Sequence, residues 1–240
     1  IKDQKTNEVE FKFLTTYTQT KKILEQELKI QIDFFDKSNL KNRIFSKLYR
    51  SKYLDFFIKL SPLEKYLKQN SFDLIYFISP SFLVLECKKL NCVYTIWETQ
   101  FDDLPNFPEY QDNTIRLRNE SFNHAAKYSK KIFVSTKKLS EEIKKKYNIS
   151  NNKIILQTFP PSVTTKKIEE NYIPENLEIK NIINEKFFYY PAQYWKHKNH
   201  EYIINAVKLI KKTKIDFKII FSGHDKGYLH NLKSLTKKLN

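Results

Sequence analysis

Short apolar runs alternate with amphipathic stretches along most of this chain. Phe72 to Ile78, Cys92 to Trp97, Ile132 to Ser135 and Lys153 to Gln157 have strand length and break off at polar or Pro residues. Between them, 113–131 carries apolar residues at helical spacing. Thr136 to Tyr147 opens Thr-Lys-Lys-Leu-Ser-Glu-Glu, which reads as a capped helix. Upstream, Glu8 to Leu14 predicts a strand and Gln19 to Ile32 a helix with a charged outer face. Residues 39–70 predict a longer helical region, interrupted near Ser61-Pro62. Strand and helix signals alternating at this spacing predict an α/β protein built on a doubly wound parallel sheet.

The pattern weakens after Pro160-Pro161. From there to about Glu185 the chain is polar, charged and only faintly periodic, as a linker would be. A new β-α-β pattern begins near Phe187. Its helix repeats Ile203, Ile204, Val207 and Ile210, with Lys211 and Lys212 where cations suit the helix dipole. Its second strand, Phe217 to Phe221, runs into Ser222-Gly223-His224-Asp225-Lys226-Gly227. The predicted organisation is a Rossmann-like domain over 1–163, a linker over 164–185 and the opening of a second such domain over 186–240. Two strands and two helices do not close a sheet domain, and the first residue is Ile1 in a chain without Met. An internal fragment of a longer protein is therefore expected.

Composition sharpens one part of this picture. The chain has only two glycines, and both fall in the 222–227 loop. Ligands of open α/β sheets sit at the carboxyl ends of strands, and helix N-termini favour anions. The loops after 191 and 221 bring Lys, His, Asn, Ser and Gly to such strand ends, which points to a phosphate-bearing small molecule.

The net charge of +16 raises the question of a polyanionic partner. Lysines scattered among Asn and Ile, with arginine scarce, fit solvated surfaces better than base or phosphate readout, so no nucleic-acid partner is expected. Residues 37–68 are a special case: nine Lys or Arg face Asp55 and Glu64, interleaved with Phe45, Leu48, Tyr49, Phe56 and Phe57. Such a stretch packs its apolar stripe on a sheet or lies on anionic lipid; both readings stay open, with peripheral membrane contact through 39–70 the sharper one. No run approaches the roughly 20 apolar residues needed to span a bilayer. Cys87 and Cys92, two thiols without further partners, predict buried reduced cysteines rather than a zinc site or disulfide framework. His197 and His200 share a helical turn, but no clustered acid or thiol completes a metal site.

Four segments in order carry a family resemblance. Asp73 to Pro80 and Trp97-Glu98-Thr99-Gln100-Phe101-Asp102-Asp103-Leu104-Pro105-Asn106-Phe107-Pro108-Glu109 are similar to a strand and the acceptor-side loop of family 4-like glycosyltransferases (glycosyl transferases group 1). Phe188-Tyr189-Tyr190-Pro191-Ala192-Gln193-Tyr194-Trp195-Lys196-His197-Lys198-Asn199-His200 and Phe221 to Gly227 resemble the opening of that family's donor domain. The resemblance implies a GT-B fold and a retaining transfer of a sugar from a UDP- or GDP-linked donor to a saccharide or lipid-linked saccharide, in polysaccharide biosynthesis. It implies no cofactor and no required metal, and a cytoplasmic protein that is peripheral to the inner face of the cell membrane if residues 39–70 meet lipid.

Carried over residue by residue, Lys198 holds the donor diphosphate. Gln193 stands where the family more often has Arg, leaving Lys196 as the second cation. His197, Asn199, Ser222, Gly223, Asp225 and Lys226 belong to the donor side, with Gly223 allowing close backbone approach to phosphate. Trp97 and Glu98 face the acceptor, Glu98 where Asp is usual, although Trp97 and Trp195 read equally as packing residues. Asp102 and Asp103 are the catalytic candidates, beside Phe101 where the family often has His. The family's donor carboxylate pair and first glycine-rich loop have no counterpart in the chain. Two rivals remain: a non-catalytic basic module that binds polyanions or membranes, and an inactive paralogue, to which Phe101 and Gln193 lend support.

Overall fold

The structure is a computed structural model that describes residues 9–51, 58–101, 103–104, 107, 110, 112–158, 177–182, 185–210 and 216–239. The chain divides into two compact units, residues 1–99 with 116–158 and residues 100–115 with 159–240.

The first unit is α/β. Strand β1 (Phe13–Thr15) pairs in parallel with β2 (Ile32–Phe34), and α1 (Thr18–Leu28) connects them. Here the structure corrects two expectations. Among the described residues only Phe13 and Leu14 of the predicted Glu8–Leu14 strand are paired, with Thr15 added, and the helix expected to reach Ile32 stops at Leu28. Lys29 adopts a left-handed conformation (φ 51°) and its N–H returns to the Glu25 carbonyl. That ends the helix and releases Ile32-Asp33-Phe34 to pair.

The predicted 39–70 helical region is two helices. Helix α2 (Leu40–Arg50) is capped by the Asn39 side chain, and α3 (Pro62–Gln69) starts at a Ser61/Glu64 capping box with Pro at its first turn. Phe56 and Phe57 of the proposed aromatic face lie outside the described residues.

Strands β3 (Leu74–Phe77), β4 (Asn91–Ile96), β5 (Lys131–Val134) and β6 (Ile154–Leu156) form a parallel four-stranded sheet in sequence order. Helix α4 (Asp112–Tyr128) connects β4 to β5, and α5 (Lys137–Tyr147) connects β5 to β6. These strands are three to six residues long, and the central one, β4, is buried along all but its first residue, as a helix-flanked parallel sheet allows. Tyr94, Ile96, Phe122, Ile132, Val134 and Ile143 are buried at its core. Tyr94 packs its ring against Phe77 and Phe122, which meets Tyr147 edge-on. Burying each such side chain contributes about 1.5–3 kcal/mol. Cys87 and Cys92 are free and buried, and burial pushes both thiols up.

A polar hub ties the α2–α3 region to the start of β4. Five donors converge on the buried Glu64 carboxylate: the Tyr49 hydroxyl at 2.7 Å and the backbone N–H groups of Ser61, Lys88, Lys89 and Leu90. A buried carboxyl group is tolerable because its lone pairs are taken up in this way.

In the second unit, α6 (Leu177–Ile182) precedes β7 (Phe187–Pro191), which pairs in parallel with β8 (Lys218–Ser222) from Phe187↔Lys218 to Pro191↔Ser222. Helices α7 (His200–Ile210) and α8 (Leu229–Leu239) follow the two strands. Tyr194, Ile204 and Leu232 form its small buried core, with Phe221, Tyr228, Leu229 and Leu235 against them. Lys211 and Lys212 lie outside the described residues, as do residues 164–176 of the expected 164–185 linker, while 177–182 of it form α6. No helix among the described residues is long and apolar enough to cross a membrane.

Candidate functional site

Two adjacent strand ends shape the candidate site in the second unit. At the end of β7 the Ala192 N–H donates to the Ser222 carbonyl (2.9 Å), and the Tyr194 N–H donates to the His224 carbonyl (3.0 Å), so the loops after β7 and β8 run side by side. A parallel bridge between Tyr194 and Asp225 extends this pairing beyond the strands. Gly223 sits where the two loops are closest. A Cβ on that residue would lie 2.2 Å from the Ala192 carbonyl oxygen. The close approach that calls for glycine is therefore between two protein segments. Gly227 serves a different need, its φ of +90°.

The loop after β7 forms a 3-10 turn over Lys196–Lys198, ends at Asn199 in a left-handed conformation (φ 52°) and enters α7 at His200. The Tyr190 hydroxyl donates to the Lys198 carbonyl (2.9 Å), fixing this turn to its own strand. The Lys198 side chain makes no ion pair or hydrogen bond among the described residues. Gln193 spends its side-chain oxygen on the Trp195 indole N–H (2.9 Å).

Lys196 and Lys226 each lie near an aromatic face, Lys196 with its Nζ 6.0 Å from the Phe107 ring centre and Lys226 5.7 Å from that of Trp195. His197 lies beside the Trp195 and Tyr110 rings, roughly parallel to both, and meets Phe107 edge-on. Phe107 and Tyr110 come from the acceptor-like loop, within the same unit as His197.

Three residues stand differently from what the sequence suggests. Asp225 does not pair with Lys226. Its carboxylate accepts from the Leu229 and Gly227 N–H groups at the start of α8, and those bonds hold its pKa below the usual carboxylate value. Ser222 shares a 2.6 Å hydrogen bond with the Tyr189 hydroxyl. His200, at the start of α7, is only 1% exposed and packs among Tyr190, Tyr194 and Phe221. Neither ring nitrogen makes a hydrogen bond of ordinary geometry, and burial lowers its pKa while the nearby Ala192 backbone opposes that shift. At the first turn of α7, the Tyr228 hydroxyl engages the Glu201 carboxylate.

The acceptor-side residues divide between the two units. Trp97 and Glu98 belong to the first, where Trp97 is half exposed and Glu98 pairs with Arg118. Asp103 belongs to the second and is exposed; Asp102 lies outside the described residues. Phe101 is fully buried against Tyr110, so its aromatic ring serves packing. Among the described residues no group of three or more His, Cys, Asp or Glu is arranged to hold a metal ion.

One feature of the first unit went unread in the sequence as a site. A cleft of about 830 Å³ opens at residues just beyond β1, β2 and β3, lined by Lys37, Arg43, Lys47 and Arg50 together with Glu86 and Ser46. In the sequence these cations belong to the basic 37–68 stretch, and the i, i+4, i+7 spacing of Arg43, Lys47 and Arg50 also fits a solvated helix face. No family model and no curated protein sequence matches the chain.

Proposed function

We propose that the chain belongs to a retaining glycosyltransferase of GT-B type, with residues 1–163 on the acceptor side, 164–185 as linker and 186–240 on the donor side. The donor is a UDP- or GDP-sugar and the acceptor a saccharide or lipid-linked saccharide. A cytoplasmic location goes with this reading. One observation carries it: the loops following the adjacent parallel strands β7 and β8 hold three exposed lysines, Lys196, Lys198 and Lys226, beside the start of α7. Strand carboxyl ends next to a helix N-terminus form the usual setting for a phosphate-bearing ligand.

In this reading Lys198 supplies charge to the donor diphosphate. As the bond from the sugar C1 to the diphosphate oxygen breaks, that oxygen gains negative charge, and a nearby ammonium stabilises it most in the transition state. The acceptor hydroxyl forms the new bond to C1 on the same face and passes its proton to the departing diphosphate oxygen. Lys196 stands as the second cation in place of Gln193, whose side chain is held by Trp195. Asp102 and Asp103 remain the candidates for contact with the acceptor hydroxyl.

Incubating the full-length protein with radiolabelled UDP- and GDP-sugars and lipid-linked saccharide acceptors tests the reading. Transfer of label that falls at least tenfold in Lys198→Ala supports it. Label that stays in the nucleotide-sugar with every donor and acceptor in the panel removes it.

A further inference from the structure

The cleft in the first unit lies at strand carboxyl ends and has the size of a small-molecule site rather than a polymer groove. Its charge is lopsided. Arg43, Lys47 and Arg50 project from successive turns of α2 and Lys37 joins them from the loop after β2, against Glu86 as the one acid among the described lining residues. Lys37 donates to the Tyr17 hydroxyl (3.2 Å) and Arg50 to the Ser46 carbonyl (3.2 Å). Arg43 and Lys47 form no ion pair among the described residues. Uncompensated cations gathered in a concavity raise the local concentration of anions.

Glu86 supplies a second, independent observation. It is 5% exposed, its Oε2 has no hydrogen-bond partner among the described residues, and burial pushes its carboxyl up despite the Ser46 hydroxyl and the Arg50 charge nearby. An orphaned buried oxygen costs about 1–3 kcal/mol. A hydroxyl donor arriving with a ligand removes that cost.

We infer that this cleft binds a phosphorylated saccharide, its phosphate between Arg43 and Lys47 and a ring hydroxyl donating to Glu86. The cations select the phosphate, and the carboxyl group distinguishes a sugar phosphate from phosphate alone. The inference concerns residues of the first unit and none of the loops after β7 and β8, so it does not rest on the donor reading. The phosphate can come from a free sugar phosphate, a monoester, or from a lipid-linked saccharide, a diester, since both present an anionic phosphate beside ring hydroxyls.

Calorimetric titration of the full-length protein with glucose, galactose and mannose 1-phosphates, against inorganic phosphate, tests the free source. Co-sedimentation with phosphatidylcholine vesicles, with and without polyprenyl-phosphoryl-glucose, tests the lipid-linked source. The expected result is that at least one sugar phosphate, or the saccharide-bearing vesicle, binds at least tenfold more tightly than inorganic phosphate or the bare vesicle. Arg43→Glu with Lys47→Glu, both at exposed positions, abolishes that binding while the circular dichroism spectrum is retained. Glu86→Gln shrinks the preference for sugar phosphate over phosphate, and Lys198→Ala leaves it unchanged. Binding no tighter than that of inorganic phosphate in every arm, or sugar-phosphate binding untouched by the charge reversals, overturns the inference. Loss of nucleotide-sugar turnover alone would bear only on the donor reading.

Discussion

Gly223 and Ala192 approach so closely that a Cβ on residue 223 would stand 2.2 Å from the Ala192 carbonyl oxygen and 2.8 Å from the Gln193 Cα. Both neighbours are backbone, so neither can swing aside. Gly223→Ala must push the two strand-end loops apart, at a cost of about 1–3 kcal/mol in overpacking. Thermal unfolding and hydrogen exchange at 192–194 report it: the substitution lowers the melting temperature and exposes the Ala192 and Tyr194 amides. Gly227→Ala, with open space around its Cβ, meets only the strain of φ +90° and leaves those amides protected.

The Tyr49–Glu64 hydrogen bond predicts a second measurable loss. Tyr49 is 1% exposed and Glu64 fully buried, so removing the hydroxyl deprives a buried carboxyl group of one of its donors. Tyr49→Phe destabilises the fold by about 1.5–3 kcal/mol in urea or guanidinium unfolding. A change within 0.5 kcal/mol or so would mean that the backbone donors alone satisfy Glu64.

Buried ionisable groups give the fold a pH dependence with a definite sign. Burial lowers the pKa of His124 and His200 below the ordinary 6.5, so the unfolded chain takes up protons first as pH falls. Their contribution is complete above about pH 6.5 and is lost as pH drops through the lowered folded values. Glu86 runs the other way: its pKa is raised above 4.5, so its burial weighs against the fold as pH rises through the raised value. His200→Phe therefore flattens the acid limb of a stability–pH curve, and Glu86→Gln raises stability at pH 7. An acid limb unchanged by His200→Phe would show that the ring titrates as if in water.

How far the sequence revealed this depends on the kind of signal. The four strands of the larger sheet are legible as short, mostly apolar runs bounded by polar residues, and β4 at its centre carries the pattern that two-sided burial demands. Strand β2 is not, because Ile30 to Phe35 continues the apolar spacing of α1 and the stop signal is Lys29, a residue type that seldom adopts a left-handed conformation. The same scarcity of glycine puts Ser71, Asn148 and Asn199 at positive φ, so several turns carry no glycine marker.

The candidate site is legible as two loops after strands, but side-chain roles are not. The sequence places Asp225 on the donor side and His200 on a helical turn with His197, but not the bonds from the Gly227 and Leu229 amides to Asp225 or the aromatic surroundings of His200. The cationic cleft depends on α2 meeting the ends of β1, β2 and β3, a juxtaposition that no local pattern encodes.

The central claim is that the β7–β8 strand ends bind the diphosphate of a nucleotide-sugar through Lys198. Equilibrium titration of the full-length protein with UDP and GDP, in parallel with Lys198→Ala, tests it most directly. The account predicts saturable binding of one nucleotide, weakened at least tenfold by the substitution, equivalent to about 1.4 kcal/mol. Nucleotide binding of equal strength in both proteins, or none in either, contradicts it.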